Sequence, residues 1–222
     1  MSVPKWSGNN ALNPVLTRDY MDSKQLALDP VMIDMRKSID HFDVSFLHLL
    51  AERVRVVGKI MQLKQQQQID LGQSEARRED MKNLIEMSSQ LKLEKKFFSK
   101  ILDLVFQDAM EQFNAGKLIE SPETVAAVCS GLSLDDLRNN LLNLDKSICL
   151  VLAERFRIVK RIGEYKGKLG VPPLDQERWN EVLKTKAEVS RSLGISVSLI
   201  RDIYNAIHEV SLNLEREIVN SH

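Results

Sequence analysis

Two pairs of basic residues with identical spacing are the residues of this sequence best suited to chemistry. Arg53 and Lys64 lie 11 residues apart, and so do Arg155 and Lys166. In an α-helix, 11 residues make close to three whole turns and rise about 16 Å, so the two cations of each pair share one face. Cations among apolar positions are costly to bury unless an anion meets them. Each pair therefore indicates either a binding site for an anionic ligand or an acidic partner within the protein.

Other kinds of catalytic or metal site are not indicated. The sequence contains no Ser/His/Asp or Cys/His arrangement of the kind that activates a nucleophile. No metal-ligand spacing connects the four histidines, which are His41, His48, His208 and His222. We interpret each histidine as structural or exposed. The two cysteines, Cys129 and Cys149, lack zinc-ligand spacing. We expect neither a metal nor a cofactor.

The composition is that of a soluble globular protein. Hydrophobic residues make up 43% and charged residues 28% of the 222 residues, and 31 basic residues balance 31 acidic ones. A net charge of zero argues against a general nucleic-acid-binding protein. The sequence has no apolar run of about 18 residues and no basic-then-apolar start, so we expect no membrane span and no secretory signal. We expect a cytoplasmic protein.

The elements that must position these cations are predicted to be helices. The sequence has only 9 Gly and 6 Pro, and long stretches rich in Leu, Glu, Lys, Arg and Gln favour helix. Residues 1–30 read as an irregular extension. An apolar pattern at three- and four-residue spacing then predicts a long helix over 31–66. Two shorter helices are predicted over 74–91 and 94–115, before a connector over 116–133.

The second half of the sequence repeats the first. The segment Leu50-Ala51-Glu52-Arg53 returns as Leu152-Ala153-Glu154-Arg155, at an offset of 102 residues. The same offset relates two further basic pairs, Arg36 with Arg138 and Lys64 with Lys166. Chance rarely maintains one offset over three basic positions, so these cations are poorly explained as ordinary solvated surface residues.

The repeat predicts a tandem duplication. The first copy covers residues 31–115 and the second 134–222, each with one long helix and two shorter ones. Arg78 and Arg178 are only 100 residues apart, which predicts two extra residues in the glutamine-rich loop of the first copy.

Arg36 is placed too far from Arg53 to serve the same ligand on its own helix. The two are 17 residues apart, about 25 Å along a helix and roughly a quarter turn off a shared face. An antiparallel partner helix would bring Arg36 to the site of the other copy.

The pattern in both copies resembles the all-helical chorismate mutases, the AroQ type. The pattern of that family is an Arg at the start of a long helix, Ala-Glu-Arg in its middle, a Lys three turns later, Asp-x-x-Arg-Glu opening the second helix and Ser-x-x-x-Gln on the third. In that family a domain-swapped dimer forms two sites, each with its first Arg from the other protomer. The resemblance implies an all-α fold in which two tandem three-helix repeats form a pseudo-dimeric bundle within one chain.

The resemblance assigns a complete site to the second copy. Its implied catalytic residues are Lys166, Glu215 and Arg155, and its implied substrate-binding residues are Arg36, Arg178, Asp175 and Ser211. Glu215 stands where Gln is usual in the family. Trp179 stands where a Glu usually recognises the ring hydroxyl of the substrate, which would leave that role to Asp175 alone.

The resemblance gives the first copy a second, impaired site. Its residues would be Arg138, Arg53, Lys64, Glu75, Arg78 and Glu79. On its third helix, Ala109 and Phe113 occupy the Ser and Gln positions, and an alignment slipped by one residue gives Asp108 and Gln112 instead. We expect this site to bind substrate weakly or not at all.

The resemblance implies rearrangement of chorismate to prephenate, a step of aromatic amino acid biosynthesis fed by the shikimate pathway. The enzyme would hold a dicarboxylate substrate in its reactive conformer and stabilise charge on the breaking ether oxygen. It would need no metal, cofactor, nucleic acid or membrane, and would be a monomer with an internal pseudo-dimer or a homodimer. Trp179 keeps two analogue enzymes open, an isochorismate pyruvate lyase and an aminodeoxychorismate mutase. The degraded first copy keeps open a catalytically dead binding or regulatory module.

Overall fold

The computed structural model describes residues 23–70, 75–117, 131–171 and 176–220, and these residues form seven α-helices with no strand among them. The all-helical prediction is confirmed. In chain order the helices are α1 (Ser23–Leu28), α2 (Pro30–Gln66), α3 (Glu75–Gln90), α4 (Lys95–Asn114), α5 (Leu134–Leu169), α6 (Gln176–Ser192) and α7 (Val197–Asn220). No helix in these described ranges is both long and apolar enough to cross a membrane.

The two long helices have well-defined ends. The Asp29 side chain caps α2 by accepting a hydrogen bond from the backbone N–H of Met32 at 2.9 Å, and Pro30 occupies the first helical position. Ser133 and Asp136 form a reciprocal capping box at the start of α5. Gly170, at φ 68°, ends α5 in the left-handed conformation that glycine adopts without strain. With 37 and 36 residues, each helix is about 55 Å long.

Helices α2 and α5 pack against each other in antiparallel directions. Asp43 of α2 pairs with Arg155 of α5, and Asp145 of α5 pairs with Arg53 of α2. Since these two ion pairs are related by the 102-residue offset, the central helix pair has an approximate two-fold symmetry. The core around it is built from fully buried apolar side chains, among them Phe46, Leu47, Leu50, Ile148, Cys149 and Leu152.

The shorter helices cross from one copy to the other. Helix α3 of the first copy packs against α5 of the second as well as against α4. Lys186 of α6 reaches Asp40 and Asp43 of α2 in the first copy. Helix α7 packs against α4, α5 and α6. This exchange between the copies confirms the predicted pseudo-dimeric bundle.

The offset between the copies stays at 102 residues beyond the glutamine-rich loop. Helices α4 and α7 begin 102 residues apart, at Lys95 and Val197. The buried Ser88 and Ser190, which close α3 and α6, each donate a hydrogen bond to the carbonyl three residues earlier. The structure therefore differs from the two-residue insertion expected from aligning Arg78 with Arg178.

Part of the N-terminal extension, which was expected to be irregular, is helical. Residues 23–28 form α1, while residues 1–22 and most of the connector, 118–130, lie outside the described residues. Leu26 of α1 is only 2% exposed because it packs into an apolar cluster over the end of α5, with Met32, Met35, Ile162 and Val171. The Tyr165 hydroxyl donates to Asp29 at 3.0 Å and holds the same junction.

Candidate functional site

A pocket of about 130 Å³ lies between α2 of the first copy and α5, α6 and α7 of the second. Four cationic side chains line it, and they are Arg36, Arg155, Lys166 and Arg178. Its acidic lining consists of Asp40, Asp43 and Glu215. Positive groups held at several fixed points suit a ligand with more than one negative charge.

Arg155 is held in place at the bottom of this pocket. Its Nε donates to Oδ1 of the fully buried Asp43 at 2.8 Å, and its Nη1 donates to the Ser211 hydroxyl at 3.3 Å. Ser211 in turn donates to the carbonyl of Ile207 at 2.8 Å, which fixes the hydroxyl as an acceptor for Arg155. The contact between α5 and α2 thus orients a guanidinium that faces the pocket.

Lys166 and Glu215 form a buried pair on the same wall. The Lys166 ammonium donates to Oε2 of Glu215 at 2.7 Å, and both residues are less than a tenth exposed. Burial raises the pKa of the Glu215 carboxyl above its ordinary value, while the positive charges of Lys166, Arg36 and Arg155 act in the opposite direction. Glu215 therefore holds its proton at a higher pH than an exposed glutamate.

Arg36 and Arg178 complete the set of cations from two further helices. Arg36 enters from α2, and its charge acts on Glu215. Arg178, near the start of α6, donates to Asp40 at 3.3 Å and to Glu181 at 3.4 Å. Of the seven residues predicted for the second-copy site, the structure places six on the pocket wall, and they are Arg36, Arg155, Lys166, Arg178, Ser211 and Glu215. The seventh, Asp175, lies outside the described residues.

Lys186 is a residue beside this pocket that the sequence did not single out. Its side chain is only 4% exposed, and its ammonium lies 3.2 Å from Oδ2 of Asp43 and 3.4 Å from Oδ1 of Asp40. Asp43 has Asp145 as its counterpart at the 102-residue offset. Lys186 has no counterpart, because its equivalent in the first copy is the buried Leu84.

The first copy gathers its own cations around Asp145. Arg53 Nε donates to Oδ1 of Asp145 at 2.5 Å, and Arg77 donates to Oδ2 at 2.6 Å. The Lys64 ammonium donates to the backbone carbonyl of Asp70 at 2.9 Å, where Lys166 instead meets a glutamate. Burial lowers the pKa of Lys64, and the charge of Arg138 lowers it further, so Arg138 lies near Lys64.

The second helix of the first copy uses a different arginine from the one expected. Glu75, Arg78 and Glu79, proposed from the sequence for this site, are exposed on α3, and Arg77 takes the inward position. Successive helical residues point about 100° apart, so the 102-residue register turns Arg77 inward and Arg78 outward. In this register Arg77 corresponds to Trp179 of the second copy.

The third helix of the first copy offers no counterpart to Ser211 and Glu215 in this register. Ala109 and Phe113 take their positions, with Ala109 buried and Phe113 packed against the core. In the alignment slipped by one residue, Asp108 and Gln112 would take these positions. Gln112 donates a hydrogen bond to Asp108. Burial raises the pKa of Asp108, and the hydrogen bond from Gln112 opposes that shift.

Comparison with known proteins identifies the family to which both copies correspond. The model of the family described as chorismate mutase type II matches residues 35–112 and 137–216, most of each copy. The chain belongs to this family. The resemblance to the all-helical chorismate mutases, stated from the sequence, is thereby confirmed.

The relatives of this type II chorismate mutase family member are larger proteins. A T-protein of Enterobacter agglomerans is 29% identical over 84 residues, which cover 38% of this chain and 22% of the relative. A bifunctional chorismate mutase/prephenate dehydratase of Aquifex aeolicus (strain VF5) is 33% identical over 89 residues, covering 38% of this chain and 24% of the relative. The matched region thus spans about a quarter of each relative's length. No solved structure gives a significant match.

An aromatic wall distinguishes the second-copy pocket of this chorismate mutase family member. The Trp179 and His208 rings stack with centroids 3.9 Å apart and planes 8° apart, and both residues line the pocket. Burial, with the charges of Arg155 and Arg216, lowers the pKa of His208. His208 is therefore part of the pocket wall, a position that its isolated place in the sequence did not indicate. Among the residues that the structure describes, no group of His, Cys, Asp or Glu could hold a metal ion.

Proposed function

We propose that the chain converts chorismate to prephenate in the pocket between α2, α5, α6 and α7. The observation that supports this most directly is the buried pair of Lys166 and Glu215 in a pocket that also contains three arginines. In the reaction the carbon–oxygen bond of the enolpyruvyl ether breaks while a new carbon–carbon bond forms. No nucleophile and no net proton transfer are needed, in keeping with the residues gathered here.

The arginines would bind the two carboxylates of the substrate. Arg155 is held through Nε by Asp43, so it needs little reorganisation when the substrate arrives. Arg36 and Arg178 approach from α2 and α6, and guanidinium groups can bind carboxylates through two parallel hydrogen bonds. Fixing both carboxylates selects the compact conformer in which the reacting carbons meet.

Lys166 and Glu215 would face the ether oxygen, where negative charge develops as the bond breaks. The Lys166 ammonium carries three donor hydrogens, whereas Glu215 can donate only when it is protonated. The raised pKa of Glu215 favours that form. Removing one preorganised donor of this kind typically costs about 2.7 to 4 kcal/mol of transition-state stabilisation.

The proposal is tested by measuring prephenate formation by the wild type, Lys166→Met and Lys64→Met. The two lysines are related by the repeat, are both buried and lie on the corresponding long helices, so the variants are matched. We expect Lys166→Met to lower kcat by about 100- to 1000-fold. Lys64→Met should retain wild-type activity, because Lys64 meets a backbone carbonyl in place of a glutamate.

Three outcomes would contradict the proposal. One is a wild type that makes no prephenate, another is full activity in Lys166→Met, and the third is an equal loss in both variants. Thermal unfolding of all three proteins separates loss of chemistry from loss of fold.

An analogue of chorismate is the second candidate substrate, because Trp179 and His208 form the wall near Arg178. The corresponding activities are isochorismate pyruvate lyase and aminodeoxychorismate mutase. Comparing turnover of chorismate, isochorismate and the ring-amino analogue distinguishes them. We expect chorismate to have the highest kcat/KM, and a higher value for either analogue would replace it as the substrate.

A further inference from the structure

The ring hydroxyl of chorismate needs a hydrogen-bond acceptor in the pocket, and Trp179 cannot provide one. This point rests on the function proposed above. An indole N–H only donates hydrogen bonds. A site that leaves a buried hydroxyl unpaired loses affinity, whereas a matched acceptor creates selectivity for it.

Two of the three acidic residues on the pocket wall are already engaged. Asp43 is fully buried, receives the Arg155 guanidinium at 2.8 Å and has the Lys186 ammonium at 3.2 Å. Glu215 accepts from Lys166 at 2.7 Å on the wall assigned to the ether oxygen. Each is committed to another side chain.

Asp40 is the most exposed of the three acidic residues on the pocket wall. Its side chain is 44% exposed, and each oxygen has one long contact, at 3.3 Å to Arg178 and at 3.4 Å to Lys186. A carboxylate offers about four acceptor sites. The two cations balance the negative charge of Asp40, so this carboxylate can lie in a pocket that binds anions.

The position of Asp40 on α2 places it between the two ends of the pocket. It follows Arg36 by one helical turn, about 6 Å, and precedes Asp43 by three residues, about 4.5 Å. Arg36 acts on the pair of Lys166 and Glu215, and Asp43 holds Arg155. A substrate ring held by cations at both ends of the pocket would therefore lie next to Asp40.

We propose that Asp40 accepts a hydrogen bond from the ring hydroxyl of the substrate and so selects substrates whose ring carries a donor group. Asp40, from the first copy, thus takes in the site of the second copy the recognition role that the family resemblance gave to Asp175, which lies outside the described residues. Hydroxyl and amino substituents can donate this hydrogen bond, whereas a substrate with hydrogen at that ring position cannot.

The test compares kcat/KM for chorismate and for its analogue with hydrogen in place of the ring hydroxyl, in the wild type and in Asp40→Ala. We expect the wild type to prefer chorismate by about 10- to 100-fold, the usual range for a hydrogen bond to a charged group. Asp40→Ala should reduce this preference to about threefold or less. Asp34→Ala, at an exposed acidic position on the same helix, is the matched control and should keep the wild-type preference.

The ratio of kcat/KM for the two substrates distinguishes recognition of the ring hydroxyl by Asp40 from positioning of neighbouring cations. If Asp40 only holds Arg178 and Lys186, both substrates lose the same factor in Asp40→Ala and the preference stays unchanged, which overturns the proposal. Wild-type preference for the ring-amino analogue, abolished in Asp40→Ala, would support the role of Asp40 and overturn only the choice of chorismate. A wild type inactive on all three compounds overturns the proposed function, and this inference with it.

Discussion

Asp43 and Glu215 are buried carboxylates of one pocket with different tasks. Asp43 lies between the Arg155 guanidinium and the Lys186 ammonium, and it orients Arg155. Glu215 contacts the Lys166 ammonium directly, and burial raises its pKa. Asp43 therefore positions Arg155, whereas we propose that the protonation state of Glu215 controls activity.

Replacing Glu215 with Gln should flatten the pH dependence of kcat/KM. In the proposed mechanism the wild type donates to the ether oxygen through protonated Glu215, so we expect its activity to be highest below the raised pKa and to fall as pH increases through it. The amide of Gln donates at every pH. The measurement is kcat/KM for prephenate formation from acid to neutral pH in both proteins, and the same slope in both would remove Glu215 from this role.

The main cations of the site were predictable from the sequence, whereas the other side chains in their ion pairs were harder to predict. Arg155 and Lys166 stood out because spacing and repetition both marked them. Lys186 resembles any lysine of an amphipathic helix, and only the packing of α6 on α2 shows that it is buried. Arg77 was missed because its neighbour Arg78 gave an equally plausible alignment.

Helices α5 and α7 approach closely where the proposed catalytic pair meets. A Cβ atom added at Gly163 would lie 3.3 Å from the Cα of Glu215 and 3.3 Å from Cδ1 of Ile218. The first neighbour is backbone and cannot turn aside as a flexible side chain can. The absence of a side chain at Gly163 thus allows α7 to approach α5 closely at Glu215.

Gly163→Ala should have a larger effect on kcat than on the free energy of unfolding. The added methyl group pushes α7 outward by a few tenths of an ångström and moves Glu215 away from Lys166. Since misplacement by 1 Å can cost about 100-fold in rate, we expect kcat to fall about 10-fold. Steady-state kinetics beside thermal unfolding measures this, and unchanged kcat would show that the contact relaxes without moving Glu215.

The shorter helices of the first copy were predictable because turn residues separate apolar patterns of helical period. Helices α3 and α4 begin and end within one residue of their predicted bounds. Helix α1 was missed because a six-residue helix has too little periodicity, and it is held by burial of Leu26. The loop register was misjudged because it rested on one pair of arginines.

Duplication within one chain allows the two sites to diverge. The pocket of the second copy receives Arg36 and Asp43 from α2, and the cluster of the first copy receives Asp145 from α5. Phe113 packs against the core of the first copy, at the position where Glu215 lines the pocket of the second. On the proposed function, the first copy would be needed for its α2 side chains even without a working site of its own.

Arg36→Ala and Arg138→Ala should have unequal effects on prephenate formation. Arg36 lines the proposed active pocket from the other copy, whereas Arg138 lies near Lys64 and pairs with Asp135. We expect kcat/KM to fall about 10- to 100-fold in Arg36→Ala, the usual effect of removing a charge-assisted hydrogen bond. Arg138→Ala should stay within about twofold of the wild type, and the reverse order would assign the activity to the first copy.

Calorimetric titration with a bicyclic analogue of the transition state tests most directly whether two copies build one working site. We expect one molecule of analogue to bind per chain, with binding lost in Lys166→Met and retained in Lys64→Met. Binding of two molecules per chain, or of none, would contradict the account.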